Sequence, residues 1–244
     1  MEFEIALAIV GCLIAVVGIY AGIVSIWLMV KYVRFNRQKN SAGLTGQEVA
    51  RKLLDDNGLG HIAVSTTGSL LFGNSYSHYF KKVRLRRFTR HEHSLTSLGM
   101  GAQKAALAIL DKEGDSDMKK RIRLVPIITF GPFAFIPLIV IGALLDYFVF
   151  NMSGISVLIF GAFGLLFYVY ALVLSILTLK TEKKAQEKAY QILKDGCLVT
   201  EDELVKIKEL FHLYNVQYVN DIILSVLEVL YFAVEVAAAV NDMK

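Results

Sequence analysis

The residues best suited to metal chemistry lie in one short segment, His91-Glu92-His93. If this segment is a strand, alternation puts both imidazoles on one side, where they could hold a divalent cation. No third ligand lies nearby in the sequence, so a solvated basic loop is the alternative interpretation. The other three histidines lack ligand spacing, and we find no serine nucleophile elbow, Walker A loop or dinucleotide fingerprint. Cys12 and Cys197 cannot form a metal cluster.

A second segment that bears on chemistry is the small-residue run SLGMGAQKAALAIL, residues 97–110. Its glycines and alanines predict a helix that lies close against a neighbouring element. Gln103 and Leu107 stand four residues apart on one face of this helix, with Lys104 beside them. We expect Ser94 or Thr96 to cap the helix and its end to fall near residues 113–114.

Three acidic residues recur every seven positions near the end of the chain: Asp221, Glu228 and Glu235. Seven residues are about 20° short of two helical turns, so the three carboxylates share one face. In an apolar helix such a face should avoid lipid and look into a helix bundle. A helix held against its neighbours is one interpretation, and a proton or ion path is the other.

The elements that position these residues are those of a membrane protein. Of 244 residues, 55% are hydrophobic, the mean hydropathy is +0.51, and only three are prolines. This composition is too apolar for an ordinary soluble domain. We therefore expect a mainly α, polytopic membrane protein with a small cytoplasmic α+β portion, organised as a single membrane-embedded domain over residues 1–244.

Three apolar runs are long enough to cross a bilayer, and a fourth is borderline. The three runs cover residues 5–30, 124–145 and 155–179, and the fourth covers residues 222–240. The first has 26 uncharged residues, which as a helix reach about 39 Å against a hydrocarbon core of roughly 30 Å. Pro132 and Pro137 should bend or divide the second. In the fourth, apolar residues favour insertion by about 3 to 7 kcal/mol and two acids oppose it by roughly 5 to 7.

Basic residues predict which side of the membrane each hydrophilic part faces. Residues 31–124 contain 18 Lys or Arg against 8 Asp or Glu. By the positive-inside rule, residues 31–123 and 180–215 are cytoplasmic and the N-terminus is outside, in a multi-pass protein of the cell membrane. Residues 146–154 then form a short outside turn.

Local patterns within the hydrophilic parts predict helices and strands. Capping boxes at Thr45–Glu48 and Thr200–Glu203 predict helices that end at Asn57-Gly58 and near Tyr214. Two segments alternate in the manner of strands, and we expect them to form a hairpin or two-stranded ribbon. These segments are HIAVSTT at 61–67 and KKVRLRR at 81–87.

With this order of elements in view, the chain resembles the membrane-bound neutral zinc metallopeptidase family from Gly43 onward. The resemblance lies in GLTGQEVARKLLDDNGL at 43–59, KVRLR at 82–86, LVP at 124–126 and LVTEDEL at 198–204. The resemblance implies a cytoplasmic portion like that of a metallopeptidase. It also implies that zinc is the family's cofactor.

The residues at the implied zinc site are the wrong types. The family signature H-E-x-x-H binds zinc through two imidazoles four residues apart and uses the glutamate as general base. When the chain is aligned with the family pattern without gaps, the first His falls on Gln103, the Glu on Lys104 and the second His on Leu107. A Gln amide is a poor zinc ligand, Leu is none, and Lys104 brings a positive charge where the cation would sit.

The rest of the implied site is mostly lost as well. The family's third ligand falls on Glu182, but the companion aspartate position is Lys184. The DHYDP-like segment of the family falls on residues 74–78, where only Tyr76 matches. We therefore expect no bound cofactor and no catalytic residues, and we expect an ion pair of Lys104 with Glu182 in place of the metal.

Three functions are compatible with these residues. The first is a pseudoprotease that acts as a binding or regulatory subunit. The second is a zinc peptidase with an altered site built from Glu182 and His91 or His93. The third is an ion or proton pathway through the acidic residues near the C-terminus.

The charge pattern also indicates partners. The basic run KKVRLRRFTR at 81–90 is expected to meet anionic lipid headgroups or a protein rather than nucleic acid. An active relative of the same family is a further expected partner.

Overall fold

The computed structural model describes residues 2–67, 73–128, 131–149 and 155–242. The helices are α1 Glu2–Asn36, α2 Gly46–Asp56, α3 Arg87–His91, α4 Leu95–Glu113, α5 Ser116–Ile128, α6 Gly131–Phe148, α7 Ile155–Asp195 and α8 Glu201–Asp242. The strands are β1 Ala63–Thr66, β2 Ser75–Ser77 and β3 Lys82–Leu85. The predicted class, mainly α with a small sheet, is confirmed.

The chain divides into two compact units. The first unit comprises Met1–Ile23, Arg123–Ile176 and Tyr218–Lys244, and the second comprises Val24–Ile122 and Leu177–Gln217. Residues 31–122 and 180–215, nearly all of the predicted hydrophilic portion, fall in the second unit. The prediction of a single membrane-embedded domain concerns the bilayer and stays a prediction.

Two helices are long and apolar enough to cross a membrane, Phe3–Asn36 and Ile159–Asp195. In the most apolar 18-residue stretch of each helix, only 17% and 6% is buried within the chain. Neither is therefore the covered core helix of a soluble protein. The predicted run at 124–145 is divided between α5 and α6, and Pro137 lies inside α6. Of the predicted turn at 146–154, residues 146–148 belong to α6, and residues 150–154, like residues 129–130, lie outside the described residues. A third or fourth crossing stays a prediction.

Helix ends in the second unit follow the local signals of the sequence. The Thr45 side chain accepts from the Glu48 backbone N–H and the Glu48 carboxylate accepts from the Thr45 N–H, which completes the predicted capping box of α2. Ser94 caps α4 by accepting from the Ser97 N–H. Gly114 ends α4 with φ +74°, a left-handed conformation that glycine adopts without strain. These predicted boundaries are confirmed.

The sheet has three strands in the order β1-β3-β2, so the predicted hairpin is wrong. Strands β1 and β3 pair in parallel with Ala63 opposite Lys82, and β2 pairs antiparallel to β3. Parallel strands need a crossover connection, which a tight turn cannot supply. The connection after β1 provides it and contributes β2, whose three residues are too few to show an alternating pattern.

The small residues of α4 permit close packing, as the sequence predicts. A Cβ added at Gly101 would lie 2.4 Å from the Gly46 carbonyl oxygen of α2 and 2.9 Å from Val49 Cγ1. A Cβ added at Gly46 would lie 2.0 Å from the Thr89 carbonyl oxygen of α3. Helices α2, α3 and α4 can therefore approach at these points only because both positions are glycine.

The last helix differs from its prediction in length and in orientation. The capping box at Thr200–Glu203 is present, but α8 continues to Asp242 instead of ending near Tyr214. The helix has neither Gly nor Pro to stop it there. Asp221 and Glu235 are exposed and Glu228 is half-buried. The expectation that this acidic face looks into a helix bundle is therefore wrong for Asp221 and Glu235. The exposure of these two carboxylates does not favour an ion pathway through the first unit.

Candidate functional site

Glu182 on α7 is the centre of a buried charge cluster in the second unit. Its Oε2 accepts from Lys104 Nζ at 2.7 Å and from Gln103 Nε2 at 2.9 Å, and its Oε1 accepts from Arg121 Nη2 at 3.3 Å. Arg121 also donates to Thr181 Oγ1 at 2.9 Å. The ion pair of Lys104 with Glu182 that the resemblance implies is therefore present.

The local sequence explains how α4 delivers these groups. Every residue of α4 from Leu95 to Leu110 is buried, so Gln103 and Lys104 must point into the protein interior although both are polar. Adjacent on the helix, they reach the same carboxylate oxygen. Leu107, one turn further on, is 1% exposed and belongs to the apolar core, so of the three motif positions Gln103 and Lys104 supply the hydrogen bonds to Glu182.

Burial and charge act against each other at this carboxylate. The side chains of Lys104 and Glu182 are 5% and 3% exposed. Burial alone would raise the pKa of Glu182, but the charges of Lys104 and Arg121 lower it below its ordinary value. The residue follows the apolar run that ends at Leu179, so its charge lies outside the predicted span. Glu182 is therefore held as a carboxylate.

Arg121 was not identified from the sequence. It lies in the middle of α5, in a basic run that precedes the second apolar segment. Nothing in that run distinguishes it from the neighbouring lysines, because its role depends on how α5 and α7 meet. Gln103 Oε1 is buried without a hydrogen-bond partner among the described residues. In this cluster Gln103 therefore uses only its amide N–H donor.

Lys184, at the position of the family's companion aspartate, is part of a different ion-pair group. Its Nζ lies 2.6 Å from Asp115 Oδ2 and 2.8 Å from Asp117 Oδ2. Burial alone would raise the pKa of Asp115, but the bond from Lys184 lowers it, and the same lysine lowers the pKa of Asp117. These contacts join the start of α5 to α7 without involving Glu182.

The segment at 74–78 also has a structural partner. The Tyr76 hydroxyl donates to Asp111 Oδ2 at 2.6 Å, and His78 Nδ1 lies 2.6 Å from the same oxygen. Burial and the hydrogen bond to Asp111 raise the pKa of Tyr76 well above its ordinary value. These bonds attach β2 to α4, two turns beyond Gln103 and Lys104.

The two histidines predicted as weak metal ligands do not lie on a strand. His91 is exposed at the end of α3, and His93 Nδ1 lies 2.7 Å from the Gly43 carbonyl oxygen. The alternation that would have put both imidazoles on one side is therefore absent. Among the described residues, no group of three or more His, Cys, Asp or Glu side chains is arranged to hold a metal ion.

Fold and site together define a class of protein: a mainly helical, membrane-type chain in which a buried carboxylate on one long helix is held by cations from two others. The chain belongs to the neutral zinc metallopeptidase family, because the model of that family matches residues 9–237. It is similar to a Bacillus subtilis (strain 168) protein named membrane protease YugP, with 24% identity over 216 residues. That match covers 85% of this chain and 89% of the relative. No solved structure matches the chain.

Zinc, the metal in the family's name, does not suit the side chains around Glu182. Zinc sites in proteins use imidazole, thiolate or carboxylate donors, and here Glu182 is accompanied by an amide, an ammonium and a guanidinium. The Lys104 ammonium occupies a position within hydrogen-bond distance of the carboxylate oxygen that would have to bind the metal. A dication at this point would be repelled by two fixed positive charges.

Proposed function

We propose that this protein is a catalytically inactive member of the family, which keeps the scaffold of a membrane zinc peptidase and acts as a binding or regulatory subunit. The observation that carries the proposal is that Lys104, Gln103 and Arg121 already satisfy the Glu182 carboxylate. By the resemblance, this carboxylate stands at the position of the third zinc ligand.

Charge balance explains how the scaffold can persist without a metal. A zinc ion supplies two positive charges that join the helix of the signature motif to the helix of the third ligand. Lys104 and Arg121 also supply two positive charges, and they join α4 and α5 to Glu182 on α7. A buried carboxylate needs such partners, because an unpaired charge in the interior is costly.

The loss of peptidase chemistry follows from the same residues. A zinc peptidase needs a metal-bound water and a general base beside it. Lys104 stands at the implied base position, and as the ammonium partner of the Glu182 carboxylate it has no lone pair with which to take a proton. Among the described residues this site has neither a set of metal ligands nor a general base, so a role in binding fits the scaffold better than hydrolysis of a peptide bond.

Metal content and peptidase activity of the purified full-length chain test this proposal. We expect no stoichiometric zinc and no hydrolysis of a casein substrate. The matched variant Q103H/K104E/L107H restores the signature residues next to an unchanged Glu182, and we expect it to gain zinc. Stoichiometric zinc in the natural chain that is lost in the Glu182→Ala variant would overturn the proposal.

The membrane arrangement belongs to the same proposal. We propose a multi-pass protein of the cell membrane with the N-terminus outside and residues 31–123 and 180–215 in the cytoplasm. The uneven distribution of Lys and Arg supports this arrangement. A catalytically active relative is the partner that a scaffold of this kind fits best. Co-purification from native membranes, followed by identification of the associated proteins, tests that part.

A further inference from the structure

A surface around β3 combines exposed aromatic rings with basic side chains. We call it the basic-aromatic surface, and it consists of Phe80, Lys81, Lys82, Arg84, Arg86, Arg87 and Phe88. All of these residues are exposed except Arg84, which is half-buried and lies with its guanidinium carbon 5.3 Å from the centre of the Phe80 ring. This surface lies entirely within the second unit.

The alternation of β3 accounts for the basic side of this surface. Val83 and Leu85 are fully buried, so the residues between and beside them point to the opposite face of the strand. Arg86 continues the extended backbone with φ −61° and ψ 151°. Lys82, Arg84 and Arg86 therefore share one face, and α3 begins directly after them.

The two phenylalanines are held outward by ordered backbone. Phe80 and Phe88 are 66% and 67% exposed. Phe80 lies in a turn in which Lys81 has φ +47° and the Tyr79 hydroxyl donates to the Ile122 carbonyl oxygen at 2.9 Å. Phe88 lies within helix α3. Two rings held outward beside cations are available to an apolar layer outside the protein.

The cations of the surface also lack acidic partners. Among the described residues, none of the five basic side chains forms an ion pair with a carboxylate, so their charges are open to an external anion. Unpaired cations around exposed aromatic rings are complementary to an anionic surface with an apolar layer beneath it. A membrane with anionic headgroups has this composition.

We propose that the basic-aromatic surface binds the anionic face of the bilayer in which the helices of this protein are embedded, with Phe80 and Phe88 inserted among the headgroups. The chain's own bilayer is the favoured source of lipid, because a tethered surface has a high effective concentration. Binding of this kind would hold the sheet and α3 at the membrane surface.

A tryptophan reporter in the full-length chain tests this proposal. Trp27 is the only tryptophan, so the variant W27F/F80W places a single reporter on the surface. The protein is placed in nanodiscs that contain brominated lipid, either zwitterionic alone or mixed with phosphatidylglycerol. We expect quenching and a blue shift in the anionic discs, and loss of both at high salt, which screens headgroup attraction.

Charge variants with equal net change separate this surface from general electrostatics. We expect K82Q/R84Q/R87Q, introduced into the reporter variant, to abolish the quenching of the reporter, because each cation strengthens the attraction about fivefold. The control K52Q/K194Q/K206Q removes three charges elsewhere on the second unit and should leave the quenching unchanged. Circular dichroism of both variants checks that they are folded.

Several results would overturn the proposal. Equal quenching in zwitterionic and anionic discs would show that charge has no role. Quenching only when the brominated lipid is in added vesicles would exclude the protein's own bilayer as the partner. A blue shift produced by an RNA oligomer, but not by anionic lipid, would assign the surface to nucleic acid.

Discussion

Removal of the Glu182 carboxylate should be among the most damaging single changes in the second unit. The variant E182Q leaves the Lys104 ammonium, whose side chain is 5% exposed, and the Arg121 guanidinium without their anionic partner. Loss of one partner from a buried ion pair costs about 3 to 5 kcal/mol. We therefore expect E182Q to lower the opening free energy of this unit by that amount.

Removal of the Lys104 ammonium should cost less than removal of the Glu182 carboxylate, because the carboxylate has more than one hydrogen-bond donor. In K104M, Glu182 still accepts from Gln103 at 2.9 Å and from Arg121 at 3.3 Å. The lost contact is a single charge-assisted hydrogen bond, worth about 1.5 to 3 kcal/mol. In the double variant E182Q/K104M the two costs should not add, since only Arg121 is left without an anionic partner, and the coupling should be about 1 to 3 kcal/mol.

An exposed ion pair of the same kind provides the control. Lys188 contacts Glu113, with side chains that are 34% and 47% exposed, and it also joins α7 to α4. Because exposed pairs are screened by water, K188M should cost about 0 to 1 kcal/mol.

Amide hydrogen exchange of α4 in detergent or nanodiscs measures these free energies directly. The order E182Q, then K104M, then K188M is the expected result. If E182Q costs no more than K188M, the cluster is not buried in the way that the distances indicate. If K104M costs as much as E182Q, the argument that Arg121 and Gln103 share the carboxylate is refuted.

Three further outcomes are expected. Gly101→Ala should lower the melting temperature, since its Cβ would lie 2.4 Å from a backbone oxygen of α2. At Gly99 the atoms nearest to an added Cβ belong to the Ile207 side chain, at 3.1 Å, so Gly99→Ala should be nearly neutral. Burial raises the pKa of Asp115, but the bond from Lys184 and two backbone N–H groups lower it below its ordinary value. The stability from these contacts is present above the ordinary carboxyl pKa and lost as pH falls through the lowered value, so an acid titration of Lys184→Met should show a smaller loss. Cys197 is exposed, so a membrane-impermeant maleimide should label it in inside-out but not in right-side-out vesicles if the second unit is cytoplasmic.

Helix ends were predictable because their signals are local. The capping box at Thr45–Glu48, the cap at Ser94 and the glycine at 114 each act within a few residues, and such contacts form in the same way whatever surrounds them. Close packing of α4 could also be predicted, because a run of small residues lets a neighbouring helix approach closely. The length of α8 was not, because the capping box predicts a start and nothing local marks the end.

Strand pairing failed for the opposite reason. The alternating segments at 61–67 and 81–87 contain β1 and β3, but the direction in which two strands pair depends on the connection and on the surface that they cover. Here β2 occupies the other side of β3, and its three residues carry no periodic signal. The strand geometry that a metal site at His91 and His93 would need is absent, since α3 Arg87–His91 forms there.

Part of the candidate site could be predicted from the sequence, and the rest depends on tertiary packing. The amino-acid sequence by itself determined that the chain is apolar enough for a membrane and that Gln103, Lys104 and Leu107 cannot perform zinc chemistry, because side-chain chemistry does not depend on folding. Only the tertiary structure decided that Arg121 and Gln103 join Lys104 around Glu182. Those groups come from three helices separated along the chain, and the free energy of a buried charge depends on which partners the packing brings within reach.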